Sequence, residues 1–72
     1  MTVEIRRRGS NQSVTLSYGN KIYNYRGVYN LAVSRNDIGQ FVFSFVGKLA
    51  NDSQNPDEEV RGVADIYREV LE

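Results

Sequence analysis

Phe41, Phe43 and Phe45 stand at alternate positions in Gln40-Phe41-Val42-Phe43-Ser44-Phe45-Val46-Gly47, and this stretch limits the possible folds more than any other. Aromatic and β-branched residues dominate it, which favours a strand. Side chains in a strand alternate between faces, so the three phenylalanines share one side, opposite Val42, Ser44 and Val46. A phenylalanine carries about 150–250 Å² of surface that must be covered. The Phe side therefore has to meet a second layer.

The remainder of the N-terminal part also reads as strands. Val3 and Ile5 alternate with polar neighbours, and Val14, Leu16 and Tyr18 do the same beyond the turn cluster Gly9-Ser10-Asn11-Gln12. Gly19-Asn20 has the chemistry of a two-residue hairpin, which predicts the pairs Tyr18–Lys21, Leu16–Tyr23 and Val14–Tyr25. A four-residue first turn predicts Ile5 opposite Leu16 and Val3 opposite Tyr18. Asn36-Asp37-Ile38-Gly39 suits a type I turn with glycine in the left-handed position, which sets Val33 opposite Phe43. From Lys21 the odd positions (Tyr23, Tyr25, Tyr29, Leu31, Val33) run on through Gly27 as one apolar side. The three tyrosines then belong to the core, although their spacing around Arg26 resembles a stacking surface for nucleotide bases.

Residues 48–55 read as a connection. Asn55-Pro56-Asp57-Glu58 is a helix start, with Asn as cap, Pro in the first turn and acids at the positive end of the helix dipole. Val60, Val63, Ala64, Ile66, Tyr67, Val70 and Leu71 fall on one arc at helical spacing. The expectation is one α+β domain over 1–72: an antiparallel β-meander of four or five strands (1–47), the connection (48–55), and a C-terminal α-helix (56–71) packed on the Phe face.

The chemistry available is narrow. The chain has neither cysteine nor histidine, so it lacks a thiolate nucleophile, a histidine base and the usual transition-metal ligands. No glycine-rich phosphate loop is present, and no apolar run approaches the roughly 20 residues of a membrane helix. The reading is a cytoplasmic, non-catalytic protein with no cofactor, no metal site and no membrane contact. At 72 residues without disulfides the core is small, which favours self-association as a homodimer.

Charge is divided along the chain. Residues 1–48 hold seven Lys/Arg against Glu4 and Asp37, a net +5, whereas residues 49–72 hold Arg61 and Arg68 against seven acids, a net −5. Three binding surfaces follow. The outward sheet face, with Ile22, Val28, Ala32, Val42 and Val46 among small polar residues, suits a protein partner. Arg6, Arg8 and Arg26 rim that face and suit phosphates, so a nucleic-acid-binding module is the alternative. The acidic side of the expected helix (Asp57, Glu58, Asp65, Glu69 and Glu72) offers a third reading, an inhibitor that imitates a phosphate backbone.

Overall fold

A computed structural model describes residues Met1 to Glu72 and contains six strands and no helix. These are β1 (Thr2–Arg8), β2 (Asn11–Tyr18), β3 (Lys21–Arg35), β4 (Phe41–Leu49), β5 (Glu58–Ala64) and β6 (Ile66–Leu71). They form one mixed sheet in the order β5-β4-β3-β2-β1-β6, antiparallel throughout except for the parallel pair β1–β6. Asp65 alone separates β5 from β6, so the two outer strands are halves of one bent run. The first half bonds to β4 and the second to β1, which rolls the sheet back onto its own first strand. Counted as one strand, this run is the fifth in an alternating series and must point the same way as β1. Backbone N–H groups of Asp65 and Ile66 donate to the Met1 carbonyl at 3.0 and 3.4 Å and secure the corner.

The fold is thus all-β, and the expected α+β arrangement fails in both parts: residues 56–71 form no helix, and the sheet is not a purely antiparallel meander. The physical reason lies in a pattern with two solutions. Val60, Gly62 and Ala64 also alternate, and in the structure they line the inner side of β5, with Tyr67 taking that role in β6. Val60, Val63, Ile66, Tyr67 and Val70 are residue types that prefer extended backbone. A helix would satisfy only itself, whereas the strand completes two ladders, from Phe41↔Ala64 to Gly47↔Glu58 and from Thr2↔Ile66 to Arg7↔Leu71. Asn55 caps nothing; its side-chain amide donates to the Leu49 carbonyl at 2.8 Å and ties the loop before β5. Gly62, costly in a helix, lies under the Phe43 ring, where a Cβ would meet Cζ at 2.7 Å.

Within β1–β4 the local turns set the registers. Tyr18↔Lys21, Leu16↔Tyr23, Val14↔Tyr25 and Val33↔Phe43 pair as their turn chemistry requires. The first turn is shorter than expected. Only Gly9 and Ser10 connect β1 to β2, so Ile5 faces Val14 and Val3 faces Leu16. That shift of two residues leaves every side chain on its own face.

β3 departs more seriously. Gly27 (φ 59°) and Asn30 (φ 55°) lie in the left-handed region, and the β3–β4 ladder shifts register on both sides of Tyr29. Such bulges bend a strand and re-aim its side chains. Val28 therefore turns inward and is buried, while Tyr29 turns outward and is 49% exposed; Leu31 and Val33 return to the inner side. The core draws Val3, Ile5, Val14, Leu16 and Tyr25 from β1–β3 and closes on Val28, Phe43, Phe45 and Ala64. Tyr25 meets Phe45 edge-on at 5.1 Å, and Phe41 meets Tyr67 at 5.5 Å where the roll closes.

The bend gives a direct test. A Cβ at Gly27 meets nothing within 4 Å, so any cost of substitution there comes from the backbone alone. Gly27→Val is expected to lose about 1–2 kcal/mol in urea unfolding, the cost of a left-handed L-residue, while Gly27→Asn loses less. Equal stability of all three chains would mean that the bend does not need the left-handed conformation.

Candidate anion-binding cleft

Arg6, Arg8 and Arg26 meet in one open cleft of about 460 Å³, whose wall also includes Asn11, Gln12, Ser13, Gly27 and Glu72 and contains no apolar side chain. The sheet registers build it. Arg6 lies opposite Ser13 and Arg8 opposite Asn11, and the β2–β3 ladder, carried one residue past Val14↔Tyr25, brings Ser13 beside Arg26. Arg26 in turn pairs with Lys48. The outward face thus carries a cross-strand row Arg6–Ser13–Arg26–Lys48, with Arg6 and Arg26 two strand spacings apart, about 10 Å.

The three arginines differ in how far their charge is already used. Arg6 Nη2 donates to Glu4 Oε1 at 2.7 Å and Nη1 to Glu72 Oε1 at 2.8 Å. The hydrogen bond that Arg6 donates to Glu4 raises the Arg6 pKa most, followed by the charges of Glu4 and Glu72, so Arg6 is firmly cationic but locally neutralised. Arg8 and Arg26 make no ion pair. Guanidinium groups present a planar fork that matches phosphate or carboxylate oxygens. Two unpaired forks in a polar cleft suit an anion.

The other sequence-derived residues do not gather so well. Ile22 is 67% exposed but lies beside Tyr23, Asn24 and Leu49, away from the rest. Val28 is in the core, which removes the centre of the expected semi-apolar face. Ala32, Val42 and Val46 remain on the outer side of β3–β4, where Val42 adjoins Ser34 and Val63, and Val46 adjoins Tyr29 and Glu59. Val63 was hidden by the helical reading, since only a strand aims it outward.

The acids do not share a helix face either. Asp57 accepts from the Tyr29 hydroxyl at 3.2 Å and lies 3.8 Å from Lys48 Nζ. Glu58 starts β5 opposite Gly47, Asp65 sits at the corner 3.3 Å from the N-terminal amine, and Glu69 lies 3.7 Å from Arg7. Glu72 occupies the arginine cleft. Much of the +5/−5 division along the chain is therefore met internally, by folding the acidic part against the basic one. Asn11, Gln12 and Ser13 escaped the sequence reading, which placed the first two in a turn; the outward parity of Ser13 was the available signal.

The tyrosines give the fold a defined alkaline limit. Burial, reinforced by Glu58, raises the Tyr25 hydroxyl above its usual pKa; burial with Asp57 does so for Tyr29, and burial with Glu69 for Tyr67. The native state then holds these protons at pH values where the unfolded chain has released them, so stability falls as pH rises. The urea midpoint is expected to hold up to about pH 9 and to decline above about pH 10, with Tyr25→Phe flattening the decline. A midpoint that ignores pH in this range would show that the hydroxyls ionise without cost.

No helix is long and apolar enough to cross a membrane. Compared with protein-family models, with curated proteins and with solved structures, the chain gives no significant match to any.

Proposed function

We propose that this protein is a cytoplasmic, non-catalytic binding module for single-stranded nucleic acid, which it holds across the outer face of β1, β2 and β3. The observation that carries this reading is the meeting of Arg8 and Arg26, both unpaired, with Arg6 in a cleft without apolar lining. Arg6, Arg8, Arg26 and Lys48 contact phosphates, with Asn11, Gln12 and Ser13 as neutral hydrogen-bonding partners. Tyr29 lies three residues beyond Arg26 on the same outward side, half exposed, and offers a ring on which an unpaired base stacks. A single strand fits better than a duplex, because no helix projects to enter a major groove and a stacking ring needs a base out of its pair.

Fluorescence anisotropy with a labelled oligonucleotide over a salt series tests the reading. Affinity is expected to fall as salt rises, with a log–log slope near −0.7 for each phosphate neutralised. Tyr29→Ala is expected to weaken binding about tenfold at constant slope, while Tyr29→Phe retains it, because stacking is uncharged. Absent or salt-insensitive binding rejects the proposal.

A second reading, a protein partner on the outer side of β3–β4–β5, rests on the adjacency of Val42 and Val63, 38% and 43% exposed. Capture of a partner that survives nuclease treatment and is lost with Val42→Lys favours it over the first.

A further inference from the structure

We infer that the open edge of β3, Leu31 to Arg35, is a self-association surface on which a second copy of this chain lays the same residues, antiparallel about Val33. β3 is flanked on both sides only near its start. Its ladder with β2 ends at Val14↔Tyr25, and beyond that point β3 pairs with β4 alone. The direction of the free groups follows from the hairpin. The Asn36 N–H donates to the Gln40 carbonyl at 3.0 Å, so by antiparallel alternation Ser34 and Ala32 also address β4. Leu31, Val33 and Arg35 point their N–H and C=O groups away from the sheet.

Two further strand sides are unpaired, and both are defended. β5 carries Glu58, Glu59 and Arg61, and β6 carries Arg68 and Glu69, the kind of charge that keeps edges from associating. Leu31 to Ser34 carries none, and Arg35, at the end of the stretch, is its one charge. Leu31 and Val33 also face the core side and pack against it, yet stay only half-buried, because nothing lies beyond them.

The segment complements itself. About Val33, Val33 meets its own copy, Leu31 meets Arg35, and Ala32 meets Ser34, so no like charges face each other. The Arg35 guanidinium already lies over the Phe41 ring, 4.7 Å from its centroid, leaving the aliphatic stem to cover Leu31. Each of Leu31, Val33 and Arg35 then gives and receives one backbone hydrogen bond. The bulge at Asn30 confines the pairing to this short stretch, so the association is weak and concentration-dependent.

Sedimentation equilibrium without nucleic acid, from micromolar to millimolar protein, tests the inference separately from the nucleic-acid reading. The mass is expected to rise toward that of two chains. Ala32→Lys with Ser34→Lys places like charges opposite one another on exposed positions and is expected to weaken association about tenfold or more. Mixing that variant with Ala32→Glu/Ser34→Glu is expected to restore it as a heterodimer. Amide exchange of the unaltered chain supplies an independent readout: Leu31, Val33 and Arg35 gain protection with concentration, which contact between sheet faces would not produce. A single-chain mass throughout, association untouched by the lysines, no recovery on mixing, or unchanged exchange at these three amides would each overturn the inference.

Discussion

Arg8→Ala combined with Arg26→Ala is expected to reduce oligonucleotide affinity by roughly 10- to 100-fold at low salt, about 0.7–1.4 kcal/mol for each of two solvent-exposed ion contacts. The log–log salt slope should become shallower by about 1.4, two cations at 0.7 each. Stability should change little, because both side chains are exposed and unpaired. Arg6→Ala is expected to cost less affinity than either, since Glu4 and Glu72 already neutralise that guanidinium at 2.7 and 2.8 Å. Glu72→Gln should act in the opposite sense. It withdraws a carboxylate from the cleft and frees Arg6, so affinity rises and the salt dependence steepens. This ordering separates the cleft from generic basicity, which predicts equal effects for all three arginines. Anisotropy titrations at several salt concentrations measure both quantities, and equal losses at Arg6, Arg8 and Arg26 would refute the assignment.

Phe43→Ala is expected to remove a large share of the fold's stability. Phe43 is 2% exposed, stacks beside Phe45 at 6.2 Å and rests on Gly62 of the next strand. Truncation at such a site costs about 3–5 kcal/mol, from lost burial and an unfilled cavity. A domain of this length has a total stability of only about 4–11 kcal/mol, so the loss takes a large share. Gly62→Ala should also destabilise, by the reverse route, because its methyl would press on the Phe43 ring. Phe41→Ala, at a half-buried site beside Tyr67, should cost less. Far-ultraviolet circular dichroism with urea titration ranks the three; a loss below about 1 kcal/mol at Phe43 would mean that the core does not depend on this ring.

Features carried by a few neighbouring residues could be read before the structure. Asn36 holds its turn by accepting from the Ile38 and Gln40 amides through its own Oδ1, at 3.1 and 2.9 Å, and so delivers Val33 to Phe43. Gly19-Asn20 likewise delivers Tyr18 to Lys21. Turn chemistry is local, and the parity it imposes also put Arg6, Arg8 and Arg26 on the outward side. Gly27 marked one place where β3 was free to bend, but the left-handed Asn30 and the register shifts on both sides of Tyr29, which turn Val28 inward and Tyr29 outward, broke an alternation that the sequence carried straight through.

Residues 58–71 show where local reading ends. Their apolar side chains fit a helical arc and a bent strand alike, and the cap-like Asn55-Pro56-Asp57 tipped the sequence argument toward the helix. Tertiary contact decided otherwise: β4 and β1 each had an unpaired side, and only an extended chain turning at Asp65 reaches both. The same closure carried Glu72 to Arg6 and left Arg8 and Arg26 without an ion pair. Sequence alone determined the turns at Gly19-Asn20 and Asn36–Gly39 and the outward arginines, because these follow from backbone preferences and alternation, whereas the length of the first turn was set by the β1–β2 pairing. The helix-or-strand choice and the makeup of the cleft belong to the tertiary structure, because each depends on backbone and charge partners dozens of residues away.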